Sequence, residues 1–141
     1  DAVIDIAVSG VHTITIDAEG AQTYSYSLFL STVEPEVFEI DLPITIEPDI
    51  PRAGMGAISV PGYLDQYLVE LSAGQRLSID LLGSGFFASR LVLTDPNGDT
   101  VAILDGIGDA VIDIAVSGVH TITIDAQGAQ TYRYSIGLAV G

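Results

Sequence analysis

Asp95-Pro96-Asn97-Gly98-Asp99 places side-chain oxygens at alternate positions, as the start of a calcium loop does. Asp95, Asn97 and Asp99 are therefore metal candidates, with Asp105 or Asp109 as helpers, and calcium is the cofactor these residues suggest. An EF-hand would place Gly sixth and Glu twelfth, whereas here Gly98 is fourth and Gly106 twelfth. The same residues also suit a tight hairpin turn, with Pro at its second position and Gly supplying a positive φ, and the turn is the stronger reading.

Other residue sets carry weaker chemistry. Gly83-Ser84-Gly85-Phe86-Phe87-Ala88 fits a dinucleotide-binding pattern after a strand, but no helix fits before the next strand to meet a pyrophosphate. It reads as a loop, with Phe86 and Phe87 tucked under one end of the fold. His12 and His120 both sit in Gly-Val-His-Thr and are one position seen twice, not two ligands of one site. On the inward phase of a strand they are expected at the rim of the core. Ser, His and Asp are all present, yet nothing resembles the strained elbow that exposes a catalytic serine. The acids are expected on outward strand positions or turns, where carboxylate pKa values stay low, which disfavours glycoside hydrolysis. No enzyme activity is expected. Tyr24, Tyr26, Tyr132 and Tyr134 form alternating stripes that could face a carbohydrate, although strand packing explains them more simply.

The elements that hold these residues are β-strands. Apolar residues alternate with polar ones instead of recurring at helical spacing. Strands are expected at 63–71, 76–82, 90–94 and 100–104, joined by Ser72-Ala73-Gly74-Gln75 and Asp95-Pro96-Asn97-Gly98. Ile112, Ile114 and Val116 share a face; His120, Ile122 and Ile124 point inward while Thr121, Thr123 and Asp125 point out. A last strand alternates Tyr132, Tyr134 and Ile136 against Thr131, Arg133 and Ser135.

Residues 1–28 match residues 109–136 at 25 of 28 positions, at an offset of 108 residues. Only Glu19/Gln127, Ser25/Arg133 and Leu28/Ile136 differ. The chain thus divides into the closing part of one repeat (1–30), an acidic Pro-rich connector (31–55) and a complete repeat (56–141). Pro35, Pro43, Pro48 and Pro51 stiffen the connector, within which VFEIDLPITI could also lie along a sheet edge.

Composition narrows the partners. A net charge of -15, with four arginines and no lysine, repels nucleic acid and anionic membrane surfaces. The absence of cysteine removes disulfides and thiolate metal sites. No apolar run is long enough to span a bilayer as a helix, so membrane insertion is not expected. The chain opens on Asp1 with neither Met nor a basic leader, as a processed form or excerpt would.

Residues 57–140 resemble the bacterial pre-peptidase C-terminal domain family. The resemblance rests on Asp65, Tyr67 and Val69 in one strand, the turn Ala73-Gly74-Gln75, the following Leu-x-apolar strand and the Asp95–Gly98 hairpin. The late Gly-Thr-Tyr-type strand departs, reading Gly118-Val119-His120. Residues 1–30 look like the tail of a preceding copy. The resemblance implies an all-β, jelly-roll-like antiparallel β-sandwich. It also implies a non-catalytic module, appended to secreted peptidases or repeated in surface proteins, that assists secretion or binds polymers. The expected function is an extracellular or cell-surface structural or adhesive repeat, pairing with other copies of itself by β-strand pairing in a tandem array or filament. A polymer-binding module of a secreted hydrolase is the rival.

Overall fold

The computed structural model describes residue 4 and residues 6–20, 22–30, 36–59, 63–82, 89–105, 108–126 and 131–141. Among the described residues eleven strands are formed: β1 (Glu36–Glu39), β2 (Ile44–Ile46), β3 (Ala57–Ile58), β4 (Leu64–Leu71), β5 (Arg76–Leu82), β6 (Ser89–Thr94), β7 (Thr100–Asp105), β8 (Ala110–Asp113), β9 (Gly118–Ala126), β10 (Tyr132–Arg133) and β11 (Ser135–Val140). The described residues contain no helix. Where alternation is clean, the expected strands and the observed ones agree to within a residue at each end.

Two sheets stack as a sandwich, one in the order β1-β4-β9-β6-β7 and the other β2-β11-β5-β8, with a short β10-β3 ribbon. β9 inserts between β4 and β6, and β5 between β11 and β8, giving the crossed connections of a jelly-roll-like fold. Alternate residues of each strand fill the space between the sheets. Tyr67, Val69 and Leu71 of β4 meet Leu77 and Ile79 of β5, Leu91 and Leu93 of β6, and Ile122 and Ile124 of β9 in one core.

Two features depart from expectation. The ladder between β1 and β4 is parallel, Glu36 facing Asp65 through Glu39 facing Leu68, while the other ladders are antiparallel. Residues 36–58 are also part of the sandwich and do not simply connect units. β1 forms one edge of the five-stranded sheet, and β2 forms one edge of the four-stranded sheet against β11. Edge strands tolerate Pro because one row of backbone groups needs no partner, so the prolines did not exclude a ladder. Ile40 and Ile46 then join the core. The sandwich begins by residue 36, ahead of the boundary expected near residue 55.

Residues 1–30 behave differently. Among those described, none belongs to a strand ladder. Their twins at 109–136 supply β8, β9, β10 and the start of β11. The ladders that β9 requires, on β4 and β6, are already filled by Gly118–Ala126.

Candidate functional site

Alternation along β4 turns Asp65 inward with Tyr67, Val69 and Leu71, so an acid enters the core. Asp65 is only 1% exposed. This corrects the expectation that the acids occupy outward positions with low pKa. Tyr134 comes from the opposite side, at the break between β10 and β11, where its backbone N–H donates to Gly56 O (2.9 Å). Its hydroxyl donates to Asp65 Oδ2 at 2.5 Å and lies 2.6 Å from the Tyr67 hydroxyl. The Gly56 N–H donates to that Tyr67 oxygen at 3.1 Å. A phenol has one proton, so with Asp65 ionised the order is fixed: Gly56 donates to Tyr67, Tyr67 to Tyr134, and Tyr134 to the carboxylate.

The relay is buried and its pKa values follow. Desolvation raises Asp65 to about 7; the bond from Tyr134 acts in the opposite direction and nearby Glu36 adds to the rise. Desolvation is also the leading cause that pushes Tyr67 up to about 12 and Tyr134 higher. Phe38 of β1 stacks on Tyr67 with ring centroids 5.4 Å apart. The relay therefore ties together β1, the Gly56 turn, β4 and the last strand. Its oxygens are spent on one another inside the sandwich, so it acts as a polar register lock.

The metal candidates are brought together in the β6–β7 turn. Asp95 Oδ1 accepts the backbone N–H groups of Asn97 (2.8 Å) and Asp99 (3.0 Å), and Gly98 N–H donates to Asp95 O (3.0 Å). Of the proposed helpers, Asp105 pairs with Arg90 at 2.7 Å, and Asp109 Oδ1 accepts the Leu81 N–H at 3.3 Å. Among the described residues, no group of three or more His, Asp or Glu is placed to hold a metal. His120 is buried more deeply than the rim, at 1% exposed, with Nδ1 3.0 Å from Gly118 O. The Gly83–Ala88 loop and the Tyr132 side chain lie outside the described residues.

The two copies of the duplicated segment share local geometry but not surroundings. His12 Nδ1 lies 3.0 Å from Gly10 O, matching His120 and Gly118. The φ of Gly10 is 137° and that of Gly118 is 135°. Burial, however, is opposite. Ile14 is 61% exposed against 0% for Ile122, Ile16 41% against 0% for Ile124, and Tyr26 61% against 2% for Tyr134. Ile6, Leu28 and Leu30 are likewise exposed where Ile114, Ile136 and Leu138 are buried. Half-exposed aliphatic and aromatic side chains each forgo about 1–2 kcal/mol of burial, so six amount to roughly 6–12 kcal/mol.

No family model and no curated protein matches this chain. Solved structures do. A periplasmic inhibitor of g-type lysozyme from Aeromonas hydrophila (PliG) superposes with a TM-score of 0.63 at 13% identity, covering 78% of this chain and all of that one. The pre-peptidase C-terminal domain of a collagenase from Bacillus anthracis gives 0.50 at 16% identity, covering 79% of this chain and 98% of that one. PliG from Salmonella Typhimurium gives 0.50 at 18% identity, covering 77% and 99%. At these identities the likeness is one of fold: the chain carries an all-β sandwich shared with pre-peptidase C-terminal domains and lysozyme inhibitors.

Proposed function

We propose that this chain is a segment of a tandem array of non-catalytic, extracellular or cell-surface β-sandwich modules with a structural or adhesive role. One observation carries the reading: a second copy of β8–β11, with its core side chains facing solvent. The offset of 108 residues supports it. It maps Val140, the end of β11, onto Thr32, and four residues later β1 begins at Glu36. Repeat period and sandwich length thus agree, and successive sandwiches follow one another with almost no spacer. Exchange of the two copies within one sandwich gains nothing, because one copy is left unpaired whichever is seated. A further unit, with its own equivalents of β4, β5 and β6, removes the deficit through main-chain pairing and burial.

The fold neighbours support a non-catalytic role, since one is an appended domain of a collagenase and two inhibit another protein. Their periplasmic or peptidase-associated settings support a location outside the cytoplasm, and among the described residues no helix is long and apolar enough to cross a membrane. The collagenase neighbour favours one second reading, a polymer-binding module of a secreted hydrolase, which binding to collagen, cellulose or chitin would reveal. Small-angle scattering on chains of two, three and four 108-residue repeats tests the array. A constant increment per repeat, on the order of 30–40 Å for strands of this length, supports it. Coil-like growth, with beads on a flexible string, would sink it.

A further inference from the structure

We propose that the seat filled by residues 112–138 also accepts residues 4–30 of a second copy of this chain, joining chains by strand exchange. The seat is the channel between β4 and β6 in one sheet and between β2 and β5 in the other. The inference rests on the array reading only in taking residues 4–30 as a sandwich component.

The seat selects by shape and by one polar key, and the N-terminal copy carries both. Ile122 faces Tyr67 on β4 and Leu93 on β6; its twin is Ile14. Ile124 faces Asp65 and Leu91, and its twin is Ile16. The key is the hydroxyl of Tyr134 on Asp65 and Tyr67, and Tyr26 is the twin of Tyr134. A segment slipped by one residue would turn this tyrosine away and leave the Asp65 carboxylate buried without its donor. The Gly10–His12 bond already reproduces that of Gly118 and His120.

Nor do the three differences bar entry. Leu28 for Ile136, a core position between Ile46 and Leu81, is a volume-conserving exchange. Ser25 replaces Arg133, which is exposed. Glu19 for Gln127 trades an amide for a carboxylate of the same size.

Register decides that the occupant is a second copy and not the same chain. Val140 pairs with Leu77, just beyond the turn that follows Leu71. In full register Thr32 would occupy that place, while Glu36 must face Asp65, six residues back along β4 and in the other sheet. The two points are about 20 Å or more apart, from ~3.3 Å per strand residue and sheets ~10 Å apart. Four residues reach at most about 14 Å. A chain filling its own seat would surrender the end of the β11 ladder or the whole of β1. A second copy surrenders neither.

The test disables one copy at a time in the full chain. Ile122→Asp places a carboxylate in the core position of β9, and Ile14→Asp does the same in its twin. Thermal unfolding, sedimentation and hydrogen exchange are measured across a hundredfold range of protein concentration. Ile14→Asp is expected to melt with the wild-type sandwich. Ile122→Asp is expected to melt cooperatively as a dimer or larger assembly, with a Tm that rises with concentration and protection transferred from residues 118–126 to 10–18. The double variant I14D/I122D is expected to show no cooperative transition. The proposal is overturned if I122D is as unfolded as the double variant, or if the double variant folds as I122D does. A concentration-independent monomer of I122D also overturns it, by assigning the seat to the chain's own N-terminal copy. None of these failures touches the array, which the length per repeat tests separately.

Discussion

Replacing Asp65 by Asn isolates the carboxylate that the interior holds furthest from its ordinary behaviour. Burial raises Asp65 to about 7, against about 3.9 for an aspartate in an unfolded chain. Between those values the folded state keeps a proton that the unfolded state releases, so stability falls as pH rises. The contribution is fully present below about pH 4 and is lost as pH passes through about 7. Roughly three units at about 1.4 kcal/mol each set a ceiling of about 4 kcal/mol, and solvent screening beside Glu36 lowers the expectation to about 2–3 kcal/mol. Repulsion within a chain of net charge -15 also weakens the fold as pH rises, so the wild-type curve alone does not isolate Asp65. The difference between curves does. Asn retains an oxygen to accept the Tyr134 hydroxyl and does not titrate. Urea unfolding of both proteins from about pH 4.5 to about pH 8.5 should show D65N gaining about 2–3 kcal/mol on the wild type across that window. Parallel curves, separated by a constant, would refute the assignment of the buried proton to Asp65.

Three other changes probe the same framework. Tyr134→Phe removes the donor to Asp65 and should cost about 2–4 kcal/mol above neutral pH and less below pH ~5, read by urea midpoint. Gly56→Ala should cost at least about 2 kcal/mol by thermal unfolding. Its φ is 68°, and an added Cβ would lie 2.5 Å from the carbonyl carbon of Glu47. Asp95→Ala should cost about 1–2 kcal/mol in EDTA and in calcium alike, since both side-chain bonds across the β6–β7 turn are lost. A loss confined to calcium buffers would instead assign Asp95, Asn97 and Asp99 to an ion.

Period-two alternation is local, which is why β4, β5, β6 and β7 could be placed from sequence nearly to the residue. It also carried an overlooked signal. Once Tyr67, Val69 and Leu71 face inward, so must Asp65, and an inward acid needs a buried donor. The donor itself was not legible, because Tyr134 lies 69 residues away and only the fold brings it to β4. β1 and β2 were obscured by prolines among acids, which an extended connector and an edge strand share. The β6–β7 turn illustrates the opposite case. Asp, Pro, Asn and Gly serve a turn and begin a calcium loop equally well, so the residue types alone do not separate the two uses. Duplication was visible at once, yet its meaning came from burial: identical residues are core in one copy and surface in the other.

That contrast gives the most direct measurement. Extending the chain at its N-terminus by a second copy of residues 34–108 places Gly108 before Asp1, as it stands before Asp109. Residues 4–30 then meet their own β4, β5 and β6 equivalents. Hydrogen exchange followed by mass spectrometry should find residues 10–18 freely exchanging in the present chain. In the extended one they should be protected to the same degree as residues 118–126. If residues 10–18 exchange as fast in the extended chain as in the present one, the segment is not a repeat awaiting its sandwich and the account is wrong.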